Sequence, residues 1–285
     1  MNRKAYYRQY HNALLKCEVY AQKQFYKALN AQFRIVYNDL PKKGLAQLLA
    51  DLPSLIQQAP MQKAIKDTYQ YTANIFHNFT KDNAPKQKKQ STTSFGAGFL
   101  DPIFIAALEA FMAKQGAAQA TGITETTRST YNAILTEAVR DRLTIPQIVK
   151  KLKDAGLKNK ARAINIARTE TTIAANFTQF ATAQSLEITL DKIWISARDN
   201  RTRDAHRAMD GQRKPMNEPF IVNGTPMKHP GDVAGGAKNV CNCRCTTGFV
   251  AAAENSPQQT RAGISVGNIA AIVAAFVATQ SNPNN

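Results

Sequence analysis

The stretch ITLDKIWISARDNRTRDAHRAMDGQ, residues 188–212, decides the fold, because the hydrophobic pattern changes period there. Before Leu186 the apolar positions recur at helical spacing: Ile164, Ala167, Ala174, Phe177 and Ala181 share one face of a helix expected over about 160–184. After it, Ile193 and Ile195 alternate around Trp194, the period-two signature of a strand. Asp199 and Asn200 supply a turn, and TRDAHRAM (202–209) holds one or two turns of helix stopped by Gly211. A long helix that runs into strand, turn and short helix marks an α+β chain.

Working outward toward the C-terminus, the segments stay short. Residues 220–222, Asn223-Gly224 and 225–228 read as a tight hairpin, since Asn-Gly accepts the positive φ angles of a type I′ turn. CNCRCTTGFV (241–250) reads as a last strand. Toward the N-terminus the pattern is helical: Tyr26, Leu29, Phe33, Val36 and Leu40 step at helical spacing, with Lys23, Lys27 and Arg34 between them, and Pro41 and Gly44 punctuate the end. A second amphipathic stretch covers about 45–79, interrupted by Pro53 and Pro60. Further helices are expected over about 102–118 and 124–142. A short one follows, with Thr144 as N-cap, Pro146 in the first turn and Gly156 as a left-handed stop. The fold class is therefore α+β: a helical N-terminal half, then a small mixed α+β C-terminal module with short antiparallel strands. The polar, basic stretch KDNAPKQKKQSTTSFGAG (81–98) has linker composition. The expected organisation is a helical region over 1–85, a basic linker over 86–98, a second domain over 99–250 and an apolar tail over 251–285.

Charge narrows the partners. Lys and Arg number 37 against 20 acidic residues, a net charge of +17, which favours polyanions or acidic protein surfaces. Residues 1–160 hold 24 of the basic and 11 of the acidic residues, so the excess lies mostly in the N-terminal half. No stretch reaches the roughly 18–20 uninterrupted apolar residues that span a bilayer, and the opening MNRKAYYRQYHNALLK has no apolar signal region, so neither stable membrane insertion nor standard secretion is expected. Of four cysteines, Cys17 stands alone and three crowd into CNCRC, a spacing that suits metal or reduced thiols in a reducing cytoplasm better than a disulfide framework.

Five segments taken in order carry a resemblance: IARTETTIAAN (166–176), KIWISARDNRTRDAHRAMDGQ (192–212), EPF (218–220), HPGD (229–232) and NCRC (242–245). Together they resemble the phage Mu F-like minor head protein family. That family's run is an Ala-Arg-Thr-Glu helix, a Trp strand, Asp-x-x-Thr-Arg-x-x-His, an Asp-Gly turn, a Pro-Gly-Asp loop and a closing Asn-Cys-Arg-Cys. The run occupies roughly 120–250 here, so the resemblance makes 99–250 a Mu F-like head morphogenesis domain. It implies a minor capsid protein of a tailed phage or prophage. Such a protein would associate with the portal, with scaffold or major capsid protein and with packaged double-stranded DNA, during prohead assembly or genome delivery. It would lie inside the virion head, after assembly in the host cytoplasm. The resemblance implies a structural role and not an enzymatic one. A +17 chain among DNA phosphates is physically coherent, because each neutralised phosphate releases counterions.

The residues that carry the motif are Arg168, Glu170, Trp194, Asp199, Arg203, His206, Asp210 and Gly211. Arg168 and Glu170 lie two apart on a helix and face different sides, so each needs a partner elsewhere; the charged turn at 199–206 is the natural one. Cys243 and Cys245, alternate residues on an expected strand, could approach one ion if His206 or His229 completed the shell. The cofactor expectation is accordingly none, or a structural zinc. Cys241 and His229 fit the family pattern less closely. No residue is assigned a catalytic role. A rival reading takes the protein as a head-carried enzyme, a nuclease or nucleotide-dependent transferase using His206, Asp199 and Glu170.

Contact with DNA or an acidic portal surface falls to Lys86, Lys88 and Lys89 in the linker and to Lys150, Lys151 and Lys153 on the short helix. A plain non-specific DNA-binding module is a further rival. The pair of helices around Gly156 has the outline of a helix-turn-helix, but its second helix is rich in Ala and Ile and poor in residues able to read base edges. The tail, with Ile264, Val266, Ile269, Ile272, Val273, Phe276 and Val277, reads as a docking or capping helix.

Overall fold

The computed structural model describes residues 1–85, 102–186 and 188–252. Its helices are α1 (Arg3–Lys43), α2 (Leu45–Leu55), α3 (Ala59–Asn83), α4 (Pro102–Phe111), α5 (Ala117–Arg140), α6 (Ile145–Leu157), α7 (Asn159–Ser185), α8 (Asp204–Ala208) and α9 (Gly236–Val240). Its strands are β1 (Leu190–Ile195), β2 (Arg213–Pro215), β3 (Phe220–Val222), β4 (Thr225–Met227) and β5 (Thr246–Ala251). The chain is mostly helical with a few short antiparallel strands in its C-terminal part. The linker lysines Lys86, Lys88 and Lys89 lie outside the described residues, as does the tail beyond residue 252.

The helices end where local chemistry stops them. Pro41 falls in the last turn of α1, where Gly44 follows at φ 74°. Pro53 sits in the last turn of α2 rather than between helices, and Pro60 opens α3, where its missing N–H costs nothing. Thr144 precedes α6, its backbone N–H donating to Gln147 Oε1 at 2.8 Å. Two expectations are corrected. No break separates 118 from 124: Gly122 lies inside α5 with nothing within 4 Å of its missing Cβ, and the irregularity is a π-helical turn at Met112–Gly116. Gly156 is not a left-handed stop. It is helical, and a Cβ there would come within 3.0 Å of the Phe33 ring, so the absent side chain serves close packing.

The chain divides into two compact units. One comprises Glu18–Tyr69 and Met112–Ala167 and is all-helical. Its core joins Val36 and Leu40 of α1, Leu48 and Leu52 of α2, Tyr131 and Leu135 of α5, and Ile148 and Leu152 of α6. Arg162 ties α7 to α5 through Thr127 Oγ1 and the Ile123 carbonyl, both at 2.8 Å. The α6 lysines belong to this unit: Lys150 is exposed, Lys151 pairs with Glu137 at 3.0 Å, and Lys153 Nζ lies 5.9 Å from the Tyr37 ring centre.

The other unit comprises Met1–Cys17, Gln70–Phe111 and Arg168–Asn285. Its sheet has the order β2-β1-β5, antiparallel throughout, with Ile193 opposite both Arg213 and Gly248. β3 and β4 form the expected hairpin, with Asn223 and Gly224 at φ 52° and 77°. One apolar cluster joins Tyr10, Leu14, Cys17, Phe76 and Ala175; a second joins Phe180, Ala183, Leu190, Met216 and Phe249. β5 begins only at Thr246, so Cys241, Cys243 and Cys245 lie in the loop before the strand and not along it. Asn242, at φ 55°, bends that loop.

Candidate functional site

The loop before β5 is held by side chains from a helix instead of by a neighbouring strand. α7 carries Thr169, Thr172, Asn176 and Gln179 at intervals of three and four, which puts them on one face. Thr169 Oγ1 accepts the Asn242 N–H at 3.0 Å, and the Thr172 hydroxyl donates to the Cys243 carbonyl at 2.7 Å. Asn176 donates to the Cys245 carbonyl and accepts the Thr247 N–H, both at 3.1 Å. Gln179 donates to Thr246 Oγ1 at 3.0 Å. From the first turns of α1, the Tyr7, Tyr10 and Tyr6 hydroxyls reach the carbonyls of Arg244, Cys245 and Thr247 at 3.3, 3.5 and 3.0 Å. Burial drives the Tyr6 and Tyr10 phenols far up from their ordinary range, so they stay protonated donors. None of these brace residues stood out in the sequence; the signal available was a polar ladder at helical spacing within IARTETTIAANFTQF.

With its backbone fixed, the loop presents two thiols to His206. Nδ1 of His206 lies 3.5 Å from Cys243 Sγ and 3.6 Å from Cys245 Sγ, and all three ligand atoms fall within 4.8 Å of one another. The three side chains are buried, His206 to 1% exposure. The Cys245 N–H donates to Cys243 Sγ at 3.5 Å. The hydrogen bond between the two thiols and the contact with His206 hold the Cys243 thiol well below its usual range despite burial; that same thiol bond, reinforced by burial, pushes Cys245 up. Trp194 stands edge-on to the His206 ring at 5.4 Å and to Phe220 at 5.3 Å, closing the apolar side.

His229 does not join this trio. Its ring packs against Phe180 at 5.5 Å, and its Nδ1 lies 2.9 Å from its own neighbour's carbonyl, that of Pro230. Cys241 is exposed.

The charged turn closes the other side. Asp199 receives its own turn's Arg201 N–H and Thr202 hydroxyl at 3.0 and 2.9 Å, and Arg244 from the loop. Burial raises its carboxyl, but Thr202, Arg244 and Arg201 outweigh that and hold it below the ordinary range. Arg203 donates to the Cys241 carbonyl at 2.6 Å. Asp210 accepts the Ser196 N–H at 2.9 Å and pairs with Arg198 at 2.8 Å, while Gly211, at φ 86°, donates to the Trp194 carbonyl at 2.8 Å. Glu170 is buried and Arg168 half-buried, both on α7 beside the brace residues. An open pocket lined by Ser196, Arg198, Asp199, Asn200, Arg207 and Asp210 exists here, but its two carboxylates are already paired with arginines.

Tryptophan strand, Asp-Arg turn, buried histidine and twin thiols thus form one cross-tied unit, with the same order along the chain as a described protein family. Residues 130–248, less than half of the chain, match the family model of Phage Mu protein F like proteins. Among curated proteins it is similar to the minor head protein GP7 of Bacillus phage SPP1, 33% identical over 125 residues, which are 43% of this chain and 40% of the relative. The match therefore spans less than half the length of that relative. No solved structure matches the chain significantly.

Proposed function

We propose that this protein is a structural minor head protein of a tailed phage, which joins the portal and capsid proteins during head assembly and remains in the virion. The observation that carries the reading is the coincidence of the family match over 130–248 with the cross-tied loop, turn and strand described above. These residues are spent on each other. Asp199 bonds Arg244, Asp210 bonds Arg198, and His206 faces two thiols at 1% exposure, an arrangement of a rigid head rather than of a substrate site. The rival enzyme reading needs His206 open to a substrate, and it is buried; Asp199 lines an open pocket but is bonded to Arg244 and Thr202.

The +17 charge, with exposed Lys150 and half-buried Lys151 on α6, supports additional non-specific contact with packaged DNA. Among the described residues no helix is long and apolar enough to cross a membrane. The test is co-expression with the cognate portal, scaffold and major capsid proteins, followed by purification of proheads. The reading expects this chain in the particles and in a complex with portal alone; its absence from both overturns it. DNA affinity that falls steeply with salt while portal binding is missing would favour the plain DNA-binding module instead.

A further inference from the structure

We propose that His206, Cys243 and Cys245 form a zinc site that pins the short helix α8 to the loop before β5, with the fourth position left to an exogenous ligand such as water. This inference stands independently of the head-protein reading.

Geometry carries it. In a tetrahedral site with zinc–sulfur bonds of about 2.3 Å and zinc–nitrogen bonds of about 2.0–2.1 Å, sulfur and nitrogen ligands stand about 3.6 Å apart. The observed separations are 3.5 and 3.6 Å from one nitrogen to two sulfurs. Protons alone do not account for that symmetry. His206 Nδ1 has either one proton or one lone pair, and so can make one good hydrogen bond, yet two thiols approach it equally. A single cation satisfies all three atoms at once.

The surroundings are those of a thiolate site. The main-chain N–H of Cys245 donates to Cys243 Sγ at 3.5 Å, the kind of supporting bond that a metal-bound sulfur accepts. The loop is pre-set: both cysteine carbonyls are clamped by α7, through Thr172 and Asn176, before any ion arrives. Supporting bonds of this kind are what orient metal ligands. α8 is fixed to the same loop by Arg203. Among the described residues no fourth His, Cys, Asp or Glu joins the group, which is why the last position is assigned to an outside ligand.

The test uses the full chain purified under reductant from zinc-supplemented cells. Elemental analysis is expected to give about one zinc per chain. Metal-free protein titrated with cobalt(II) should develop sulfur-to-cobalt charge-transfer bands and the strong visible bands of four-coordination. X-ray absorption on the zinc-loaded wild type should find two sulfurs, one imidazole and one lighter atom, a readout that needs no variant to fold. Cys243→Ser, Cys245→Ser and His206→Ala should each weaken zinc at least about tenfold, whereas Cys241→Ser and His229→Ala retain it. Wild type with less than about a tenth of an equivalent of zinc and no cobalt spectrum would overturn the proposal. So would a bound metal with no sulfur neighbours, or binding that depends on His229 or Cys241 instead.

Discussion

Nη2 of Arg244 sits 2.9 and 2.6 Å from the two carboxylate oxygens of Asp199, bridging the turn after β1 to the loop before β5. The two ends of this pair differ in exposure: the Arg244 side chain is 8% exposed and that of Asp199 is 37%. Removing the carboxylate strands a buried guanidinium, whereas removing the arginine leaves a carboxylate that water and Thr202 can still serve. Asp199→Ala should therefore cost about 2–3 kcal/mol and Arg244→Met only about 1 kcal/mol. Urea unfolding followed by the fluorescence of Trp194, the one tryptophan of the chain, reads this unit directly. Equal costs, or the reverse order, would refute the assignment.

Asn176 is the most heavily used brace. Its amide serves the Cys245 carbonyl and the Thr247 N–H, at a residue with no exposed surface. Asn176→Ala should destabilise the unit by about 2–3 kcal/mol, because the buried Thr247 N–H loses this acceptor and the Cys245 carbonyl keeps only the 3.5 Å contact with Tyr10. An effect below about 1 kcal/mol would mean the loop is held by other contacts.

Lys192 gives the molecule a pH signature. Its Nζ donates to the Met216 and Lys228 carbonyls at 3.2 and 2.8 Å, between the Phe180 and Phe220 rings. Burial brings its pKa down to about 7, against about 10.4 for a free lysine. Between these values the unfolded chain holds a proton that the folded chain lacks, so stability rises with pH through this window and the penalty is constant below it. Relative to Lys192→Met, the wild type should gain up to about 1 kcal/mol per pH unit from about pH 7 to about pH 9. A difference that does not change with pH would contradict a buried, largely neutral amine.

Two glycines should respond in opposite directions. Gly211 is at φ 86°, where an alanine is strained and its Cβ would meet Arg3 Nη1, so Gly211→Ala should cost about 1–2 kcal/mol. Gly122 lies within α5, exposed and with open space, so Gly122→Ala should stabilise the helical unit by about 0.5–1 kcal/mol. Thermal unfolding of the two variants separates them.

The elements that announce themselves by period were readable from the chain. The switch at 186–190 locates the end of α7 and the start of β1, and Asn223-Gly224 locates the hairpin, because each rests on interactions between near neighbours. The Cys-Arg-Cys segment misled because alternation suggests a strand, whereas Asn242 at positive φ and side chains from two distant helices bend it into a loop. Thr172, Asn176 and Gln179 carry no sign in the sequence of the buried bonds they make, since a polar residue on a helix looks solvated until the chain that covers it is known. β2, three residues long, has no pattern of its own and is defined by pairing with β1. Gly156 is ambiguous for the same reason: its lack of a side chain suits a stop or a close approach, and only Phe33 decides.

The hydroxyl of Tyr6 lies 3.0 Å from the carbonyl of Thr247, a contact across 241 positions. On the ribosome, α1 must therefore wait for Thr247 to emerge before its tyrosines have all their acceptors. A chain halted before residue 244 leaves all three phenols without the main-chain carbonyls they serve, so closure of this unit waits on the loop before β5.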